Sequence, residues 1–204
     1  MAKLDEPAPP ASLAAPDLAG LTVAARRVAP RGPAPVHLWN PPFCGDIDMR
    51  IALDGTWFYN KSPIGRLPLV QLFASILRRD PDRYVLVTPV ERVGIVVDDA
   101  PFTGVEMKVE GEGPGRILSF RTNVEEWVAA GPGHPLRFAP GASGGLKPYL
   151  LVRGGLEALV KRALFYDLVD LGETRDIGGT AMFGVVSGGE FFPMARADAL
   201  EGRQ

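Results

Sequence analysis

The sequence is poor in the residues from which metal and redox sites are built. It holds one cysteine, Cys44, and two histidines, His37 and His134. That excludes an internal disulfide framework and every multi-cysteine metal centre. Charge of one sign is also lacking: 22 basic side chains against 24 acidic ones leave a formal net charge of -2. No global field therefore draws the chain to a nucleic-acid polymer or to an anionic membrane. No apolar run approaches the roughly 18 residues that span a bilayer. A leader pattern is missing too, because Asp5 and Glu6 stand where a basic region belongs and no apolar segment follows them. A soluble, cytoplasmic protein is the expectation. What is present is 46% hydrophobic and 23% charged residues over 204 positions, enough to bury one large core or two small ones.

Residues 1–35 are rich in alanine and proline and read as a flexible arm. One short helix fits there, from about Asp17 to Val28, with Asp17 as its cap. The block that organises the chain follows, within a first α+β unit over residues 36–88. Ile47 to Leu53 alternates as a half-buried strand, and Asp54-Gly55 is a hairpin turn. Thr56 to Tyr59 is the return strand. Leu67 to Arg79 then reads as one amphipathic helix, with Leu69, Leu72, Phe73, Ile76 and Leu77 on its apolar stripe. Tyr84–Thr88 closes the block as a strand. Across residues 89–171 short strands alternate with turn signals and end in a second amphipathic helix, Leu156 to Leu171. That is the outline of an antiparallel, pleckstrin-homology-like barrel or sandwich with a capping helix. Residues 172–204 read as a tail partly packed on the body. The fold class is α+β, in two closely packed units.

Several motifs carry a family resemblance. They are Trp39, Pro42 and Gly45–Ile51, then Asp54–Tyr59, Ser62–Arg66 and Leu69–Ala74. Tyr84–Glu91, Asp98–Phe102, Pro148–Arg153 and Ser187–Phe192 continue the pattern. Together they resemble the bacterial family catalogued as domain of unknown function 1285, over about residues 36–192. The resemblance implies two related α+β units, the second pleckstrin-homology-like. It also implies a nucleotide-like ligand bound where the units meet, in a signalling role.

Arg66 and Arg153 are the foremost binding candidates, because each stands between a β segment and a helix start. A cation there sits beside free N–H groups and partial positive charge, an arrangement that an anionic ligand would relieve. A salt bridge to one of the 24 acidic residues would relieve it as well. Trp57, Tyr59 and Tyr149 offer rings that either stack on a flat ligand or pack in the core. Thr88 and Glu91 either bond a ribose or shape a turn, and Arg121 is a further candidate on the same grounds. Catalysis has thin support. No nucleophile elbow surrounds Ser187, and the glycine-rich stretches Gly111–Gly115 and Gly141–Gly145 precede strands rather than helices, as turns do. Cys44, Asp46 and Asp48, which with His37 could be imagined as a metal site, read instead as a solvated strand face. No cofactor is expected. The partner expected is a small anion, with a protein- or peptide-binding adaptor as the alternative.

Overall fold

The computed structural model describes residues 18–28, 32–141 and 145–201. Residues 1–17 and 29–31 of the expected arm lie outside this range, as do the proposed cap Asp17, residues 142–144 of the Gly141–Gly145 turn and the last three residues. The chain begins with α1 (Leu18–Val28), which buries Leu21 and Ala25. Residues 32–35 then run in irregular conformation into a 3-10 turn, Val36–Leu38.

The first sheet is built from β1 (Phe43–Ile51), β2 (Trp57–Tyr59), β3 (Ser62–Pro63), β4 (Leu77–Arg79), β5 (Tyr84–Val87) and β6 (Arg92–Val97). Its strand order is β3-β2-β1-β6-β5-β4, and β1 lies parallel to β6. The Asp54-Gly55 turn forms as the sequence indicates. Gly55 takes the left-handed φ of +86°, and the Asp54 carboxylate accepts the Thr56 N–H at 2.9 Å. The resulting register sets Ile51 opposite Trp57 and Met49 opposite Tyr59.

Between β3 and β4 the chain forms α2 (Leu67–Ser75), with Pro68 in its first turn, where proline's missing donor costs nothing. The helix was expected to reach Arg79 but stops at Ser75. Ser75 Oγ bonds back to the Leu72 carbonyl at 2.6 Å, Ile76 leaves helical geometry, and Leu77, Arg78 and Arg79 pair with Leu86, Val85 and Tyr84. Leu77 is buried in either conformation, so its place in the apolar stripe did not distinguish helix from strand. Within the helix the buried side chains are Val70, Phe73 and Ala74, while Leu69 and Leu72 are half-buried.

The second sheet holds β7 (Phe102–Glu110), β8 (Ile117–Thr122), β9 (Trp127–Ala129), β10 (Leu136–Pro140), β11 (Leu146–Arg153) and β12 (Leu156–Val160). Its order is β10-β11-β12-β7-β8-β9, with β7 parallel to β12. Two corrections follow. Leu156–Leu171 is not one helix: Leu156, Ala158 and Val160 alternate into the core as β12, and only Arg162–Asp170 is helical, as α3. Leu156 and Val160 stand four residues apart, a spacing that satisfies both periods. The crossing between units also lies later than residue 88, because β6 belongs to the first sheet and residues 98–101 make the passage.

The tail is more regular than expected. It forms a three-stranded sheet of β13 (Glu173–Ile177), β14 (Thr180–Ser187) and β15 (Glu190–Arg196), ending in the short α4 (Asp198–Glu201). Ser187, fully buried, donates to the Ala130 carbonyl at 2.7 Å and accepts the Leu118 N–H at 2.8 Å, tying this sheet to the second. The architecture is thus α+β in two packed units with large curled sheets. One apolar cluster runs through both, from Trp57 and Phe73 to Phe102, Phe120 and Leu168. Among the described residues no helix is long and apolar enough to cross a membrane.

Candidate functional site: the cleft between the units

The passage between the sheets is fastened to both. Asp98 accepts from Arg50 Nε at 2.8 Å on the first sheet, and this partner holds its carboxyl below the usual carboxylate range. Asp99 accepts from Lys147 Nζ and from the Tyr149 hydroxyl, each at 2.8 Å, on the second sheet. Burial, and then the hydrogen bond to Asp99, push the Tyr149 hydroxyl up to about 12.

A second set of contacts joins α2 to the second unit. Gln71 Nε2 donates to the Val124 carbonyl at 3.1 Å. Arg153 Nη2 donates to the Ala74 carbonyl at 2.9 Å, at the C-terminal end of the helix. Its other terminal nitrogen pairs with Glu126, and its guanidinium lies 5.0 Å from the Phe102 ring centre. Arg153 therefore stands at the seam, with a cleft on either side.

One cleft, of about 430 Å³, is lined by Gln71, Glu125, Glu126 and Arg153 among others. Two carboxylates against one guanidinium make it unreceptive to an anion. The other, of about 550 Å³, is different. Among the described residues four basic side chains line it, His37, Arg78, Arg79 and Arg153, and no acidic one does. The rest of its lining is mostly apolar, with Pro33, Pro35, Val36, Leu77 and Leu156, and includes Ser75. The volume lies within the range of small-ligand sites, roughly 300–1,000 Å³.

The four basic groups differ in their commitments. Arg78 donates to Asp80 at 2.7 Å and to the carbonyls of Val36 and Trp39 at 2.9 and 2.6 Å. It thereby holds the segment that walls the cleft. Arg153 is balanced by Glu126. Arg79 forms no ion pair among the described residues; its guanidinium lies 4.3 Å over the Tyr84 ring, and it packs beside the Gly154-Gly155 turn. Both glycines have left-handed φ, +50° and +76°, which lets that two-residue hairpin turn tightly against Arg79.

The structure scatters the residues singled out from sequence. Arg153 lines the cleft. Arg66, the residue at the N-terminus of α2, is exposed and lines neither cleft. Trp57 is 1% exposed and stacks on Phe73 with centroids 6.4 Å apart, so it presents no face to a ligand. Tyr59 packs half-buried against the same core. Tyr149 is buried, with Arg137 over its ring at 4.1 Å. Thr88 and Glu91 close a turn, the Glu91 N–H donating to Thr88 Oγ1 at 3.2 Å. Arg121 pairs with Glu106 at 2.7 Å on the second sheet. Sequence reasoning missed Arg79, Arg78 and His37. The signal available was the proline-bounded Pro33–Val36 segment running directly into His37. Among the described residues no group of three or more His, Cys, Asp or Glu side chains is placed to hold a metal ion.

Comparison with known proteins places this geometry in a family. The N-terminal domain model of a domain of unknown function (DUF1285) matches residues 34–100, and the C-terminal domain model matches residues 101–194. The division between the two falls at the passage that Asp98 and Asp99 fasten. A crystal structure of a DUF1285 family protein from Silicibacter pomeroyi DSS-3 is 55% identical, covering 89% of this chain and 98% of that one with a TM-score of 0.81. A second DUF1285 family crystal structure, from Shewanella baltica OS155, is 27% identical over 60% of this chain and 90% of that one, with a TM-score of 0.48. No curated protein matches the chain.

Proposed function

The chain belongs to the DUF1285 family, and we propose that it is a binding protein that takes a small anion in the cleft between its two units. The family resemblance implies a nucleotide-like form of that anion and a role in signalling. One observation supports it above the rest: among the described residues the cleft of about 550 Å³ has four basic side chains and no acidic one in its lining. Arg79 is the principal contact, since among the described residues no carboxylate is bonded to its guanidinium. Arg153 is the partner contributed by the second unit. A ligand held by both would bridge the units, which is what a sensor needs if binding is to change how they are held.

Thermal unfolding of the purified chain against inorganic phosphate, simple carboxylates and nucleotides tests this. Ligand at 100 times its dissociation constant adds about 2.7 kcal/mol of stability. We expect a shift with anions that is lost in Arg79→Gln and kept in Arg66→Gln. No shift with any anion would remove the proposal.

A peptide-binding adaptor is the second reading, and one observation favours it. The chain's own Pro33-Ala34-Pro35 forms a wall of the cleft, and the Ala34 N–H donates to the Ser75 carbonyl at 2.9 Å. An extended, proline-containing peptide would dock in that way. Binding of a synthetic peptide spanning Gly32–Leu38 to the full chain, without competition from phosphate, would favour the adaptor.

A further inference from the structure

We infer that the ligand of the inter-unit cleft is an anion with an apolar body, such as an alkyl or aryl phosphate or carboxylate, rather than a nucleotide. This rests on the anion reading above and narrows it. Two features of the cleft carry it. The first is the composition of the lining, in which Pro33, Pro35 and Val36 stand with the edges of the core residues Leu77 and Leu156. A ligand body lying there meets hydrocarbon, chiefly that of the Pro33–Val36 segment.

The second feature is what the walls do not offer to a nucleobase. Trp57 and Tyr149 are committed to the core and to Asp99, and the one ring beside Arg79, that of Tyr84, is covered by the Arg79 guanidinium. Among the described residues the only uncharged polar side chain in the lining is that of Ser75, besides the imidazole of His37, and Ser75 Oγ already donates to the Leu72 carbonyl. A base buried here would leave the donors and acceptors of its edges without partners, whereas an alkyl or aryl group asks for none. Charge and hydrocarbon are thus combined in one cleft, with Arg79 at the Gly154-Gly155 turn as the charged part.

Isothermal titration of the full chain with methyl, butyl, hexyl and phenyl phosphate and one ribonucleoside monophosphate tests this, with every ligand below its micelle concentration. We expect affinity to rise about fourfold per methylene, the equivalent of ~0.8 kcal/mol. Hexyl phosphate should bind at least about tenfold more tightly than the nucleotide. Arg79→Gln should weaken every member alike. Val36→Thr, which keeps the shape of the side chain and adds a hydroxyl, should lower the ratio of hexyl to methyl phosphate affinity; its unfolding midpoint serves as the check on folding. A flat alkyl series, or a nucleotide that binds most tightly, alongside Arg79-dependent phosphate binding would overturn the inference and leave the anion reading standing. Binding to anionic vesicles with none to monomeric alkyl phosphates would overturn it as well. Absence of binding by every anion would remove both.

Discussion

The two large sheets share one plan and differ in how its halves are joined. In each, two three-stranded meanders meet along a parallel seam, β1 against β6 in the first and β7 against β12 in the second. In the first sheet the meanders are connected through α2. In the second, β9 reaches β10 through residues 130–135, closed by a bridge between Gly131 and His134. The strand order therefore does not depend on the connecting helix. What the helix adds is the junction, since Ala74 and Gln71 at its C-terminal half bond Arg153 and Val124 of the other unit. The second sheet, without a helix of its own inside the repeat, is tied instead to elements that follow it, through Ser187 on β14.

The largest predicted effect asks whether these two sheets are one cooperative body. Phe73 and Phe120 are both fully buried, one on each side of the junction, in a single apolar cluster. Truncating either to alanine should cost about 3–5 kcal/mol, and urea unfolding should remain one transition in both variants. A transition that splits only in Phe73→Ala would show that the first unit melts alone.

The passage between the units allows a finer comparison. The Tyr149 hydroxyl, on the second-sheet side, is raised to about 12 in the folded chain, against about 10 for an unfolded tyrosine. The folded state holds that proton more tightly, so the stabilisation is full below about pH 10 and is lost as pH climbs toward 12. The loss should reach about 2–3 kcal/mol, and Tyr149→Phe should flatten the slope in that window. On the first-sheet side, Arg50 pairs with Asp98 in the open, its side chain 54% exposed. Arg50→Ala should leave the unfolding midpoint nearly unchanged and the alkaline slope untouched.

The parallel seams give the smallest effect. A methyl group added at Gly94, on β6, would meet the carboxylate tip of Asp46 at 1.9 Å, while one at Gly104, on β7, would meet the Val160 backbone at 3.4 Å. Asp46 is 74% exposed and held only by a 3.8 Å ion pair to Arg83, so its carboxylate can swing aside and Gly94→Ala should cost no more than Gly104→Ala despite the shorter distance. A larger loss at Gly94 than at Gly104 would mean that Asp46 is held in place.

Much of this plan was legible locally, and the exceptions have a common physical cause. The Asp54-Gly55 hairpin and the strands at Arg92–Val97 and Leu146–Arg153 announce themselves by alternation and turn chemistry. Leu77–Arg79 and Leu156–Val160 do not, because each continues an apolar stripe into an adjacent helical pattern and becomes a strand only through partners distant in sequence. The site was harder still. A period of two places Trp57 and Tyr59 on one face but does not tell which face is the core, and Met49 and Ile51 opposite them settle that face as the inside. Arg153 was singled out as a cation ahead of a helix start, but that start is the strand β12, so the residue lines the cleft from a hairpin that the sequence did not indicate. Arg79 was not, because its exposure beside Gly155 exists only once β4 has replaced the last turn of the helix.

The central claim is that the anion is received at the seam, by Arg79 and Arg153, and not at the helix start, by Arg66. The most direct measurement is titration of the arginine side-chain Nε–Hε signals of the labelled full chain with phosphate. Saturable shifts at Arg79 and Arg153 with Arg66 unmoved are the result predicted here. Shifts at Arg66 with Arg79 and Arg153 unmoved would contradict the account.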